Sequence, residues 1–260
     1  MQDIDILKDV LLQAVRQSGA LVLEKFNASF EIAFKDSINN LVTEVDQASE
    51  RLITEIIRSS FPDHGIVGEE YGNSEAASPY QWYIDPIDGT VNFAHRVPLC
   101  CVSIALAYEG TVLLGAVYNP MMNELFFAEK GKGAYFNDKL IAVSEKSDLH
   151  KAFLVTGFPY VFQENALNIF GHFLKMELPI RRLGSAALDL CWVAAGRFDA
   201  FWENSLQPYD IAAGTLIVKE AGGKVTDYED REISVDGRQV LASNGHIHEA
   251  MIREIQKAIQ

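Results

Sequence analysis

The sequence predicts an α+β fold in two parts, and two observations support this prediction. From Gly65 to about residue 140, short β-rich runs follow one another with only glycine, asparagine and proline turns between them, which is typical of an antiparallel sheet. After about residue 150, strand patterns alternate with helical ones. We therefore divide the chain into an N-terminal α+β part, residues 1–150, and a C-terminal α/β part, residues 151–260.

Two predicted helices open the chain. Residues 3–27 place apolar side chains at mostly helical spacing, with Gly19 as an interruption, and residues 46–60 repeat the pattern. Each helix therefore offers one apolar face to the rest of the fold. The apolar positions are Ile6, Leu7, Val10, Leu11, Ala14, Leu21 and Leu23 in the first helix, and Leu52, Ile53, Ile56 and Ile57 in the second.

The remaining elements follow in order. Strands of the first half are predicted in GIVGEEY, WYID, CCVSIALAYEG, TVLLGAVYNP, NELFFAEKG and GAYFND. The second half continues with a strand in AFLVTG, a helix near residues 162–177, a helix in ALDLCWVAAG and a strand in FDAFWE. A helix in DIAAGTLIVKEAGG then ends at a glycine, and strands in KVTDY and VLASN precede a closing helix from about Ile247. No repeat or low-complexity linker interrupts the chain.

Composition and charge exclude several classes of protein. The 260 residues are 48% hydrophobic and 22% charged, which is typical of a soluble globular protein, and the formal net charge is −14. This charge argues against nucleic acid or an anionic membrane as a general partner. The N-terminus lacks the pattern of a secretory leader, and no apolar run approaches a membrane span, so we expect a cytoplasmic protein. Cys100, Cys101 and Cys191 form no disulfide framework and predict buried thiols.

Four acidic residues stand in unusual surroundings. Asp85 and Asp88 lie in the apolar run WYIDPIDGTVNFAH, which contains no lysine or arginine between Tyr83 and Ala94. Glu69 follows a buried strand pattern, and Asp210 opens a helical one. A buried carboxylate is costly unless a positive or hydrogen-bonding group compensates it. Side chains at strand ends and helix starts can converge in one cleft, so we predict that an external cation compensates these acids.

The ligand types indicate which cation this is. Carboxylate oxygens without accompanying histidine or cysteine favour Mg²⁺, Mn²⁺ or Ca²⁺ over zinc. The backbone carbonyl of Ile87, between the two aspartates, offers another hard oxygen. Gly89 and Thr90 follow at once, and free N–H groups at the start of a short helix there would suit a phosphate group. Cations beside an anion site suit metal-assisted attack of water on a phosphate ester.

Each acid also has a purely structural alternative. Asp210 and Asp46 could each be a helix N-cap, a role that aspartate fills well. Glu69 could lie at an exposed strand end, and Asp88-Gly89 is a common turn dipeptide. Turn chemistry leaves Asp85 unexplained in its apolar setting, which favours the metal-site interpretation of the cluster.

Three segments resemble the signature motifs of the inositol monophosphatase family, within the lithium-sensitive, magnesium-dependent sugar phosphatases. They are GEE at 68–70, IDPIDGTVNF at 84–93 and PYDIAAGTLIVKEAGG at 208–223. The similarity extends to LVTEVDQASE, EKGKGAYFND and LGSAALDLCWVAAGRFDAFWE, and so covers nearly the whole chain. The resemblance implies a five-layered α-β-α-β-α sandwich, a homodimer, and two or three Mg²⁺ ions per active site, with Mn²⁺ or Ca²⁺ as possible substitutes.

The resemblance also implies a role for each matching residue. The attacking water is positioned and activated by residues matching Thr90 and Asp46, with Glu69 as a further catalytic residue. Gly89 and Thr90 match the phosphate site. The metal ligands match Glu69, Asp85, the Ile87 carbonyl, Asp88 and Asp210, and the substrate contacts match Asp88, Ser185, Ala186, Glu203 and Asp210.

Departures from the family pattern concern the substrate. Gln207 stands where some members have histidine, and no ligand role can be given to residues 157–170. Val91-Asn92 replaces the lysine-glutamate pair of nucleotidase relatives, which disfavours a nucleotide substrate. His95 and Arg96 could reach a substrate or cap the short helix, and we expect the cap.

The resemblance thus implies hydrolysis of a small phosphate monoester, first of all myo-inositol 1-phosphate. The alternatives are fructose 1,6-bisphosphate, histidinol phosphate, NADP or phosphoadenosine phosphate, or a non-catalytic interaction protein on the same scaffold. A Ca²⁺-binding structural domain is disfavoured because the 12-residue loop pattern is missing.

Overall fold

The computed structural model describes residues 2–34, 41–74 and 78–260, and helices and strands follow the predicted order. The helices are α1 Ile4–Phe26, α2 Glu44–Ser60, α3 Thr90–Ala94, α4 Glu164–Lys175, α5 Ala186–Ala194, α6 Pro208–Glu220 and α7 His248–Ile259. The strands are β1 Ile32–Phe34, β2 Leu41–Thr43, β3 Gly65–Gly68, β4 Gly72–Ser74, β5 Tyr80–Asp88, β6 Cys101–Tyr108, β7 Thr111–Asn119, β8 Glu124–Glu129, β9 Gly133–Phe136, β10 Lys139–Ile141, β11 Leu154–Thr156, β12 Ile180–Arg181, β13 Ala200–Asn204, β14 Lys224–Thr226 and β15 Gln239–Ser243.

An eight-stranded sheet dominates the first half, in the order β10-β9-β8-β7-β6-β5-β3-β4. Its neighbouring strands are antiparallel, as predicted, with one exception: β3 and β5 run parallel. The exception arises because β4 reverses the chain on β3 and the connection to β5 reverses it again. β3 and β5 therefore end at the same edge of the sheet, which brings Glu69 close to the end of β5.

The two faces of this sheet belong to different cores. Along β5, Trp82 and Ile84 pack in the core that contains α1 and α2, while Tyr83 faces the core that contains α5 and α6. Ile104 and Ala105 on β6 divide in the same way. This alternation follows from the two-residue period of a strand, and it makes both sheet faces apolar because both are covered by helices.

A five-stranded sheet, ordered β12-β11-β13-β15-β14, forms the second half. Its strands alternate as well: Phe201 joins the core around α5 and α6, whereas Trp202 packs with Phe173 of α4 and Met251 of α7. The layers are therefore α1 and α2, the first sheet, α5 and α6, the second sheet, and α4 and α7. The predicted five-layered α-β-α-β-α sandwich is confirmed, while the division of the chain at residue 150 stays a prediction.

Three local predictions are corrected or confirmed by the structure. Gly19 does not interrupt α1, because the ring of Tyr118 packs where a side chain would stand and offsets the weak helix propensity of glycine. The N-cap of α2 is Thr43 rather than Asp46, which lies three residues later and completes a capping box. The three cysteines are buried and unpaired, as predicted. Within the described ranges, no helix is both long and apolar enough to span a bilayer.

Candidate active site

A pocket of about 630 Å³ opens where β3 and β5 end and where α3, α5 and α6 begin. This volume lies within the usual range of small-molecule sites. Every site residue predicted from the sequence lines the pocket except Asp46, which lies behind Thr90. The acids that the sequence places up to 141 positions apart, from Glu69 to Asp210, are thus neighbours in space.

Asp85 is the central carboxyl of the acidic cluster. It is only 2% exposed, and the negative charges of Glu69, Asp88 and Asp210 lie close enough to act on its charge. Burial, followed by the negative charges of Glu69, Asp88 and Asp210, raises the pKa of Asp85 well above its ordinary value. The site therefore favours the binding of a positive charge.

Asp88 is held at the N-terminus of α5. Its Oδ2 atom accepts hydrogen bonds from the Ser185 hydroxyl and the Ala187 backbone N–H, each at 2.7 Å. Burial raises the pKa of Asp88 to about 6, against the lowering effect of these donors. The carboxylate also faces the positive end of the α5 dipole, which favours its charged form. The Ser185 hydroxyl thus donates to Asp88. Its predicted contact with a substrate stays a prediction.

Asp210 occupies the first turn of α6. Its Oδ2 atom accepts a hydrogen bond from the Gln207 backbone N–H at 2.6 Å, and the Gln207 side chain bonds back to Asp210. The N-cap alternative for Asp210 is therefore wrong in detail, since Gln207 caps the helix and Asp210 completes the box. Burial raises the pKa of Asp210 well above normal. One oxygen orients the helix, and the carboxyl remains in the pocket.

The donor chemistry of this cluster fits a hard divalent cation. Buried carboxyls that repel one another are compensated better by a doubly charged ion than by any neutral ligand. In their present positions, the histidine, cysteine, aspartate and glutamate side chains of the described residues include no group of three or more that could hold a metal ion. Asp88 and Asp210 instead each accept a hydrogen bond from a backbone N–H group.

Gly89 and Thr90 form the turn from β5 into α3. Gly89 adopts φ 92°, and a Cβ atom there would lie 2.9 Å from the Leu99 carbonyl oxygen, so only glycine fits this turn. The Thr90 hydroxyl lies 3.1 Å from Asp46 Oδ1 and 3.0 Å from the Ile87 carbonyl oxygen. Burial raises the pKa of Asp46 to about 7. A carboxyl with this pKa can accept a proton near neutral pH.

Glu203 lies on β13, on the opposite side of the pocket. Its carboxyl packs against the backbone of Gly157, where a Cβ atom would stand 1.9 Å from Glu203 Oε2. Burial, followed by the charges of Asp210 and Asp88, raises the pKa of Glu203 to about 8. Although part of the residue is reachable through the pocket, its carboxyl is surrounded by protein on most sides. Its carboxyl therefore lines the pocket as a largely enclosed group.

Sequence reasoning missed part of the pocket lining. Residues 157–161 and Gln163 contribute to one wall, and Arg182 is the one basic side chain among the lining residues that the structure describes. No local pattern marked these residues, because they combine apolar, glycine and single polar positions. The Arg96 side chain does not cap α3, because its guanidinium donates to the carbonyls of Phe26, the last residue of α1, and Ala28. Only its backbone N–H bonds to α3, at the Phe93 carbonyl. His95 is the C-cap of α3, as predicted.

Comparisons with known proteins agree with this architecture. The sequence model of the inositol monophosphatase family matches residues 3–260. An inositol-1-monophosphatase of Synechocystis is 40% identical over 253 residues, covering 96% of this chain and 88% of that protein. The Nus factor SuhB of Escherichia coli K12 is also 40% identical over 253 residues and 95% of each chain. The crystal structure of the extragenic suppressor protein suhB from Bartonella henselae matches with a TM-score of 0.93 at 35% identity, over 97% of this chain and 99% of that one. The chain therefore belongs to the inositol monophosphatase family.

Proposed function

We propose that the protein hydrolyses a small phosphate monoester in a reaction that requires Mg²⁺, and that its principal substrate is myo-inositol 1-phosphate. The observation that supports this most is the meeting of Glu69, Asp85, Asp88 and Asp210 in one pocket beside the Gly89-Thr90 turn. Family membership supports phosphatase chemistry, and the name of the cyanobacterial relative supports the substrate.

The acids and the Ile87 carbonyl would hold the metal ions, two or three per site. When bound, Mg²⁺ lowers the pKa of a water molecule and neutralises charge on the phosphoryl group. Mn²⁺ and Ca²⁺ would bind the same oxygen ligands in vitro, since all three are hard cations. The buried carboxyls supply the negative charge that selects cations over other ligands.

Thr90 and Asp46 would orient and deprotonate the attacking water. The Thr90 hydroxyl already donates toward Asp46, and a carboxyl with a pKa of about 7 can accept a proton at neutral pH. Water attacks phosphorus in line with the ester oxygen, the phosphorus–ester oxygen bond breaks, and the departing alkoxide takes a proton. The backbone N–H groups at Gly89 and Thr90 would hold the phosphate oxygens during this step.

Glu203 would select the alcohol part of the substrate. A polyol offers hydroxyl donors, and the carboxyl oxygens of Glu203, held against Gly157, are fixed acceptors for them. Ser185 and Ala186, at the start of α5, would line the same subsite. Fructose 1,6-bisphosphate, histidinol phosphate, NADP and phosphoadenosine phosphate are the alternative substrates on this scaffold.

A phosphate-release assay tests the proposal. The purified protein is incubated with each of these esters in Mg²⁺, in EDTA, and in Mg²⁺ with added Li⁺. We expect the highest kcat/KM for myo-inositol 1-phosphate, no turnover in EDTA, and inhibition by Li⁺. Undiminished release in EDTA would refute the metal-dependent mechanism, and a higher kcat/KM for another ester would replace the substrate.

A role as a binding protein is the second candidate, because several relatives about 40% identical are named Nus factor SuhB. This would make the acidic surface, rather than the pocket, the functional region. Asp88→Asn separates the candidates, since it should abolish turnover and leave binding of a protein partner intact. We also propose a cytoplasmic homodimer, as the resemblance implies; light scattering of the purified chain tests the dimer.

A further inference from the structure

Glu50 is a buried acid to which neither the sequence nor the proposed chemistry assigns a role. It lies on α2, one helical turn after Asp46, and is only 1% exposed. Glutamate is rarely buried to this extent unless its charge is compensated by hydrogen bonds. Its partners therefore indicate what the residue does.

The carboxylate of Glu50 binds the backbone of the turn that contains Glu69. Its Oε2 atom accepts the Glu70 N–H at 2.8 Å, and its Oε1 atom accepts the Tyr71 N–H at 3.0 Å. Hydrogen bonds to a charged acceptor are about twice as strong as neutral ones. Both oxygens are thus used by the two residues that follow Glu69.

Gly68 completes this contact on the other side of Glu69. A Cβ atom at residue 68 would lie 1.9 Å from Glu50 Oε1, so the chain passes against the carboxylate only because residue 68 is glycine. The Glu69 N–H in turn bonds to the Ile84 carbonyl of β5 at 3.2 Å. The backbone of Glu69 is therefore fixed from both directions, by the sheet and by Glu50.

We propose that Glu50 is a positioning residue that holds the 68–71 turn so that Glu69 faces the ion site. This inference rests on the proposed function, because it assigns Glu69 to a bound ion. Residues that orient metal ligands affect metal affinity strongly, and their substitution typically weakens it by about 10- to 100-fold. If one metal ligand were displaced, activity would need a higher Mg²⁺ concentration, although the chemical groups of the site would be unchanged.

Glu50→Gln is the first test, with Glu55→Gln as its matched control. Glu55 lies on the same helix, is exposed, and loses the same charge. In Glu50→Gln, the side-chain oxygen still accepts one of the two backbone N–H groups. The amide N–H₂ then faces the other N–H, and two donors cannot form a hydrogen bond. We expect the Kd for Mg²⁺, measured by calorimetry on the full chain, to weaken about tenfold, while kcat at saturating Mg²⁺ stays within about twofold. The control should match wild type in both.

Gly68→Ala provides an independent test with Glu50 still present. Its methyl group should displace the carboxylate and give the same loss of Mg²⁺ affinity. Hydrogen exchange at the Glu70 and Tyr71 amides should accelerate in both variants, whatever the activity. A Glu50→Gln/Glu69→Gln double variant should bind Mg²⁺ no more weakly than Glu69→Gln alone, since Glu50 acts through Glu69.

The outcomes separate this inference from the proposed function. A wild-type chain that binds no Mg²⁺ and releases no phosphate would refute the proposed function. A normally active wild type, together with unchanged Mg²⁺ affinity in Glu50→Gln and Gly68→Ala, would refute the positioning role alone. Fully additive effects of Glu50→Gln and Glu69→Gln would also refute it, because they would show a general effect on the fold.

Discussion

The two sides of the pocket are built differently. The acidic wall, which consists of Glu69, Asp85, Asp88 and Asp210, lies at the ends of β3 and β5 and in the first turn of α6, and hydrogen bonds hold its carboxyls. The loop wall, residues 157–161 and Gln163, precedes α4, and its side chains Tyr160 and Val161 are 56% and 77% exposed. Strands and helices hold the acids that we propose for the chemistry. A loop with few buried contacts can change in sequence, and so in the ligand that it contacts, without disturbing those acids.

The largest expected effect is the fall in kcat caused by Asp88→Asn on the acidic wall. The asparagine can still accept the Ser185 and Ala187 hydrogen bonds, so the fold should be kept while one metal-binding charge is lost. We expect kcat for phosphate release to fall about 10³-fold, in the range of losing a principal electrostatic contact to the transition state.

The matched control for this change is Asp63→Asn, which removes the same charge from an exposed position. Its kcat should equal that of wild type. In EDTA, the melting temperature of Asp88→Asn should be equal to or above that of wild type, because mutual repulsion of the acids is reduced. A marked fall in melting temperature would show that Asp88 is mainly structural.

Gly157→Ala tests the loop wall. Its Cβ atom would meet the Glu203 carboxyl, so Glu203 must move from its place beside the substrate. Loss of one charged hydrogen bond should raise KM for myo-inositol 1-phosphate about tenfold, with little change in kcat/KM for para-nitrophenyl phosphate, which has no polyol.

Gly171→Ala is the control, since Gly171 lies on α4 and a Cβ atom there meets nothing within 4 Å. If kcat/KM fell equally for both phosphate esters in Gly157→Ala, this would contradict a role of Glu203 in selecting the alcohol. It would show instead that the two walls are not independent.

Mg²⁺ should stabilise the fold through the acidic wall. At a concentration ten times its Kd, one ion adds about 1.4 kcal/mol to the free energy of unfolding, which corresponds to a rise of about 3–6 °C in melting temperature for a domain of this size. Calorimetric scans with and without Mg²⁺ measure this, and Asp88→Asn should reduce the shift. An unchanged melting temperature at millimolar Mg²⁺ would argue against a shared ion site.

The smallest expected effect is the pH dependence without divalent ions. The pKa values of Asp88, Asp46 and Glu203 rise to about 6, 7 and 8 in the folded chain, above the ordinary values of 3.8 and 4.5. The folded state then binds more protons than the unfolded state, so stability falls as pH rises from 5 to 8. Melting temperatures in EDTA should be higher at pH 6 than at pH 8, and Mg²⁺ should narrow the difference. A melting temperature that rises with pH in EDTA would contradict the raised pKa values.

The sequence predicted the acidic wall well and the loop wall poorly, for a physical reason. Asp85 and Asp88 are conspicuous because carboxylates are costly in an apolar run, and the position of Glu69 and Asp210 at element ends favoured their convergence. The contacts of Arg182 and Glu50 depend on which segments pack together across the chain, and no local pattern reports that. For the same reason the parallel pairing of β3 with β5 was missed, since periodicity gives strands but not their partners.

Asp88 receives its hydrogen bonds from residues 97 and 99 positions later in the chain, and Asp210 follows further still. The acidic wall is therefore incomplete in any chain that stops before α6. Under the proposed function, the number of Mg²⁺ ions bound per chain would also count the molecules that have folded completely.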